Sequence, residues 1–271
     1  MYSGTTFRTK SGRVMGVHQK IDRVARRHLK HHLGHDVYFP SITSILHFEG
    51  LNGPDGIKRK SPAKDEPWHY IDPSKPDDTA LLDMINDHIE NLANALRTRN
   101  DERAAFEAAW MAHAIVDGLT PAHHYPLEAK LEELRGGLGL ETRTSTKEKL
   151  ILPGKTRRHQ LRNNWEYWGA NGIFTTHLAF ELGVASTIAP VTFKESTLPD
   201  DATERLKQDG FGVMFMEALR TIDAMKMYDE FTAKNWTRHL ANETRKTLIP
   251  DIINTVVLGW YRAVLLAEKK A

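Results

Sequence analysis

Residues 101–118 read DERAAFEAAWMAHAIVDG, and this stretch decides the fold class. Its alanine content predicts a buried helix, one that neighbouring elements can approach closely. His113 and Asp117 stand four apart, so on that helix their side chains lie on one face, one turn apart. Trp110 and Val116 flank them, which turns the face inward. An inward His and Asp one turn apart can chelate one ion without backbone strain. Thr120-Pro121 then ends the helix, and His123 follows from the turn beyond it.

Working outward, the same helical periodicity dominates. Residues 17–33 place Val17, Ile21, Val24, His28 and Leu29 on one face. Residues 79–96 carry Leu81, Leu82, Ile85, Ile89, Leu92 and Leu96 at spacings of three and four, behind the capping candidates Asp77 and Asp78. Residues 172–187, 202–231 and 239–268 read as three more helices, with Pro250 expected to kink or start the last. From Gly50 to Asp78 prolines and glycines predict a long irregular loop, of a kind that is uncommon unless functional. Residues 128–162 are charged and glycine-containing and read as an exposed insertion. There is no sustained alternating pattern and no internal repeat. The expectation is an all-α, single-domain multi-helix bundle over 1–271, with long loops and a metal site between helices.

Composition narrows the chemistry. The chain has no cysteine, which removes disulfides, iron–sulfur clusters and thiolate zinc sites together. Any metal must be held by imidazole and carboxylate, and fourteen histidines are a high count. The net charge of +2 is too small to argue for nucleic acid, but residues 1–35 hold eight Lys/Arg and five His against the single acid Asp22. That arm could meet a phosphate-rich surface or anionic lipid headgroups, or simply be solvated. No run of about 18 apolar residues predicts a transmembrane segment, and the N-terminus has no apolar stretch of a secretory signal. The expected compartment is cytoplasmic, with no stable protein partner evident.

A second pair repeats the helix-face geometry: His177 and Glu181 in TTHLAFELG. A third donor group, Asp55 and His69, lies on the Pro/Gly-rich loop. A lone His-x-x-x-acid pair is more often a hydrogen-bonded pair than a metal site. Two such pairs, a histidine past a helix-ending proline, and an acid with a histidine on a loop point jointly to metal. Mixed imidazole and carboxylate donors suit zinc better than Mg2+ or Ca2+.

HAIVDGLTPAH, read as H-x-x-x-D-x-x-x-P-x-H, resembles the zinc signature of the bacterial zinc-dependent phospholipase C family and its relatives, the single-strand-specific fungal and plant nucleases. HLAFE resembles that family's later H-x-x-x-E pair, which in the nucleases is usually H-x-x-x-D. PWHYIDP resembles the segment with an earlier zinc histidine, and GPD the acid fourteen residues before it. VHQKIDRVA, with His18, resembles the N-terminal helix that supplies another. The resemblance runs from residue 18 to 181. It implies two to three Zn2+ ions: His69, His113 and Asp117 on one, with Asp55 as ligand or general base; His123, His177 and Glu181 on a second; and His18 on a third, bridged by Asp117. Such ions clamp a phosphodiester, lower the pKa of a bound water to about 7 and stabilise the leaving oxygen, while Asp55 takes the proton.

Three features depart from the family. No Trp precedes Trp68 to serve as its N-terminal tryptophan ligand, residues 123 and 177 are widely separated, and Gly56 stands where an aromatic would help grip choline. The function implied is zinc-dependent phosphodiester hydrolysis of the phospholipase C type. The alternatives are a single-strand nuclease or 3′-nucleotidase on the same scaffold, and a non-catalytic zinc protein binding phosphorylated ligands. Trp165 and Trp168 in NNWEYWG are candidate substrate contacts, against a reading as core aromatics. GHD at 34–36 lacks the companions of an HD-domain phosphohydrolase. HLKHH at 28–32 reads as a solvated face. The apolar last helix with its basic end could make a peripheral membrane contact, although core packing explains it more simply.

Overall fold

A computed structural model describes residues 1, 16–60, 70–193, 198–199 and 201–268. The chain is all-α: among the described residues there is no strand. The predicted 101–118 helix is α5, Asp101–Gly118. It runs antiparallel to α4, Ala80–Arg97, across a reversal in which Arg99 takes a left-handed φ of 56°. Asn100, rather than an acid, caps α5 by accepting from the Arg103 amide at 3.1 Å.

The alanines of α5 do what their size allows. The long helix α14, Ile249–Glu268, packs against α5, α4 and α1, Val17–Leu29. The Trp260 indole N–H of α14 donates to the Ala108 carbonyl at 2.9 Å. A Cβ on Gly259 would sit 2.9 Å from Ile115 Cδ1, so a larger residue there would have to push side chains of the core aside. Pro250 lies in the first turn of α14, as the sequence predicts. Helix α13, Arg238–Glu243, continues through a wide π-turn over Thr244–Leu248 into α14. Proline's missing N–H falls just past this junction. Residues Arg238–Glu268 thus form one helix long and apolar enough to cross a membrane, and 67% of its most apolar window is buried inside the protein. Its apolar face is core.

Three expectations are corrected. The Gly50–Asp78 stretch is not wholly irregular: a 3-10 turn, Gly50–Asn52, leads to α3, Pro54–Lys60. A short α2, Ile42–His47, precedes it. Residues 202–231 form three helices instead of one, because Gly210 (φ 82°) and Lys226 (φ 49°) reverse the chain. The 128–162 insertion carries α6, Leu127–Leu134, α7, Lys147–Leu150, and the start of α8, Arg157–Trp168. These enclose a small apolar cluster of their own, Leu127, Leu131, Leu134, Leu152 and Tyr167. Asn163 ties the cluster together by donating to the Leu134 and Pro153 carbonyls, both at 2.8 Å. α8 leads into α9, Ile173–Ile188, which completes the wall around the site. The 202–231 stretch resolves into α10, Ala202–Gln208, α11, Phe211–Ala224, and α12, Met227–Lys234.

Candidate metal centre

The last turn of α5 is where the site begins. Asp117 precedes Gly118, whose absent side chain leaves room for Leu81 of α4; a Cβ there would lie 2.6 Å from Leu81 Cδ2. The Thr120 hydroxyl donates back to the Val116 carbonyl at 2.7 Å, and Pro121 opens a 3-10 turn, Pro121–His124. That turn swings His123 back toward α5, bringing its Nε2 to 3.8 Å from Asp117 Oδ1.

Two groups of donors form around Asp117. In the first, His18 of α1 and His113 of α5 stack with ring centroids 4.1 Å apart. His18 Nε2 lies 3.2 Å from Asp117 Oδ1, and His113 Nε2 lies 3.3 Å from Asp117 Oδ2. In the second, Glu181 Oε1 stands 2.9 Å from His177 Nε2 and 3.1 Å from His123 Nε2. In each triad the potential ligand atoms lie within 4.8 Å of one another. The first triad is sealed, with side chains 1–2% exposed; the second reaches the rim at 5–12%. Asp55, in the first turn of α3, brings Oδ1 to 3.9 Å from His113 Nε2 and keeps about a third of its side chain in solvent. His69 lies outside the described residues.

Two contributors were missed by sequence reasoning. The Met1 amino group sits between the triads, 2.5 Å from Asp117 Oδ1 and 3.4 Å from Glu181 Oε1. The Met1 carbonyl accepts from His18 Nε2 at 2.8 Å. The Met1 nitrogen thus lies within reach of a carboxylate from each triad. No local motif signals it, because the contact spans 116 residues. The second is Glu49, buried beside α5, whose Oε2 lies 3.4 Å from His113 Nδ1. Its carboxylate accepts from Nδ1–H and so orients the ring with Nε2 toward Asp117. Asp22, one turn beyond His18 on α1, is also buried, and neither of its oxygens has a hydrogen-bond partner.

The electrostatics follow from burial and charge. Burial opposes ionisation of Asp117, yet the Met1 ammonium and the imidazoles of His123, His113 and His18 hold its carboxyl well below the usual range. Glu181 is likewise held well below, by the same ammonium and by His177 and His123. The amine responds in turn: burial lowers its pKa, but the carboxylates of Asp117 and Glu181 outweigh this and push it up to about 10. Burial drops His123 to about 4, leaving a neutral imidazole. Burial also works against protonation of His113, but Glu49 and Asp117 overcome it and raise the group well above 6.5. Asp22 is pushed well above 3.8 by burial and by the nearby Glu49 carboxylate, which favours its neutral form.

The donor set fits metal ions. Ionised carboxylates buried among imidazoles need a compensating positive charge; the Met1 ammonium supplies it here, and a bound metal ion would take over that part. His18 turns Nε2 toward Asp117 and the Met1 carbonyl, while its buried Nδ1 has no hydrogen-bond partner. Both triads can hold a metal ion; the donors alone do not select which metal.

Tyr70, not singled out in the sequence, stacks on His123 at 5.0 Å between centroids. Burial, then the Glu181 and Asp117 carboxylates, raise its pKa well above 10, so it stays a neutral phenol. Trp168 packs edge-on to Tyr167 and against Phe174 in the insertion's own cluster. Trp165 is 73% exposed, so the pair expected to grip substrate together is divided. His28, in the stretch read as a solvated face, is buried. No protein-family model matches the chain, and no curated protein matches it in sequence.

Proposed function

We propose that this chain is a zinc-dependent phosphodiester hydrolase of the phospholipase C type. The observation that supports it most is convergence: His18, His113, Asp117, His123, His177 and Glu181, drawn from separate stretches of the chain, meet in two adjacent triads. The outer triad has the membership the resemblance implies, while the inner one joins His113 and Asp117 to His18, which the resemblance assigns to a third ion. Mixed imidazole and carboxylate donors suit Zn2+, and bound zinc would supply Lewis acidity toward the phosphoryl oxygens and lower the pKa of an attacking water.

The protein's own groups have distinct tasks. Glu49 holds His113 in one orientation. Asp55, partly open to solvent at the edge of the inner triad, receives the proton of the attacking water. Tyr70, kept neutral, covers one face of His123. Leu178 and Leu182, each the next residue after an outer ligand candidate, are exposed and give that rim an apolar edge suited to a lipid more than to a nucleic acid.

The test begins with elemental analysis of protein purified without a histidine tag. Two or three zinc ions per chain are expected, along with hydrolysis of bis(p-nitrophenyl) phosphate that a chelator abolishes and zinc restores. Headgroup release without cleavage of single-stranded DNA favours the phospholipase reading, and the reverse favours a nuclease. Absence of zinc even after its addition would sink the proposal. Zinc without turnover on any phosphodiester would leave a binding protein.

A further inference from the structure

The 128–168 region presents an apolar surface that its small core does not use. Of the eight large apolar side chains that are exposed among the described residues, five belong here: Leu138, Leu150, Ile151, Leu161 and Trp165. Helix α8 explains part of the pattern. Asn163 and Tyr167 turn into the insertion's cluster, while Leu161 and Trp165, one turn apart, are each 73% exposed on another face. The segment carrying Leu150 and Ile151 is fastened to the same helix. The Leu152 amide donates to Asn164 Oδ1 at 3.0 Å, and Asn164 Nδ2 donates to the Leu152 carbonyl at 2.9 Å. The apolar residues are thus held by built hydrogen bonds.

The charge around them has one sign. Residues 147–162 contain Lys147, Lys149, Lys155, Arg157, Arg158 and Arg162 against the single acid Glu148. Glu166, the next acid on α8, lies 3.4 Å from the Lys130 ammonium. Exposed Leu, Ile and Trp set among Lys and Arg match a bilayer with anionic headgroups, where apolar side chains enter the acyl boundary and cations meet phosphate. Single-stranded nucleic acid needs stacking aromatics along a basic groove; here one Trp stands among aliphatic residues, which have no base to stack on. We infer that α8 and the 147–153 segment form a docking surface for anionic lipid membranes. Tyr70 packs on the insertion's cluster and stacks on His123, so the cluster beneath this surface adjoins the outer triad. Docking is separate from hydrolysis, so each can fail without the other.

The full chain is tested by co-sedimentation with phosphatidylcholine vesicles prepared with and without phosphatidylserine. Binding that requires phosphatidylserine, falls with added salt, and weakens about tenfold or more in Leu161→Ser/Trp165→Ser supports the inference. The exposure of both residues predicts an unchanged melting temperature for the double variant, and Arg157→Gln/Arg158→Gln reads the charge contribution separately. Vesicle binding equal in the parent and the double variant, or no binding to phosphatidylserine vesicles, overturns it. So does binding to a single-stranded oligonucleotide alone, or a concentration-dependent dimer that the double variant abolishes. Turnover of a soluble phosphodiester is recorded in parallel, so that loss of docking is never confused with loss of the metal centre.

Discussion

The two triads are built from the same unit, a histidine and an acid four apart on a helix, yet they are supported differently. His113 and Asp117 lie in the sealed core, with His18 stacked against them and Glu49 behind the ring. His177 and Glu181 lie at the rim, joined by His123 from a turn, with Tyr70 covering one ring. The inner His113 is biased toward its protonated form by two carboxylates, whereas the outer His123 is kept neutral by burial. Before metal arrives, the outer imidazole is ready to ligate and the inner one must first lose a proton. The same local motif thus gives a tightly framed inner site and a more accessible outer one, because surroundings set the chemistry of the donors.

Asp117 is the point at which this contrast can be broken, since it faces both triads and the amine. Asp117→Asn should remove turnover and lower metal content by at least one ion per chain while the helical circular dichroism persists. The loss of activity should exceed the roughly hundredfold that removing an outer-sphere partner can cost. Elemental analysis beside a turnover assay checks it, and a fully metallated, active variant would refute the arrangement. Glu49→Ala asks the narrower question of the inner triad alone. Without the acceptor for His113 Nδ1, inner-site affinity should fall about 10- to 100-fold, and the outer ion should remain. Competition with a zinc chelator resolves the two ions, and equal weakening of both would erase the distinction.

In the metal-free protein, pH should pull the two halves in opposite directions. His123 has a folded pKa of about 4, below its unfolded value of 6.5, so the unfolded chain binds the extra proton between these limits. Its contribution, about 3 kcal/mol from that shift, is present above pH 6.5 and is lost as pH falls through 4. His113 has the opposite sign: raised above 6.5, it stabilises fully below that pH and loses its contribution as pH rises. The Met1 amine adds to the alkaline loss between 8.0 and about 10. Urea unfolding of chelator-treated protein should therefore show maximal stability near pH 6.5. A flat profile from pH 4 to 8 would contradict these assignments.

Much of this was legible in the sequence because it is local. The i,i+4 spacing of His113 with Asp117 and of His177 with Glu181 survives into the fold, since a helix face is a short-range property. The Ala-rich α5 could be read for the same reason. What escaped reading depends on distant contacts. Glu49 carries no motif, and its partner His113 is 64 residues away. The Met1 amine reaches Asp117 across most of the first half of the chain. The breaks at Gly210 and Lys226 lie inside a stretch whose periodicity looked continuous, and a single left-handed residue leaves periodicity nearly intact. Pro250 does mark the first turn of α14; what it could not show is the π-turn that joins α14 to α13.

Tyr70 offers the finest division between the triads, because its ring stacks on His123 of the outer one. Its ring lies nearly parallel to His123, at an interplanar angle of 22°, and an aromatic pair of this kind contributes about 0.5–1.5 kcal/mol beyond its buried area. Tyr70→Ala should therefore weaken outer-ion affinity by no more than about tenfold and leave inner-ion affinity unchanged. Tyr70→Phe keeps the ring and should leave both ions in place; any drop in turnover then reports on the hydroxyl alone. Were Tyr70→Phe to lose the outer ion, the phenol oxygen and not the stacked ring would be what holds His123 in place, and the rim would be framed by a polar contact much as the inner site is framed by Glu49.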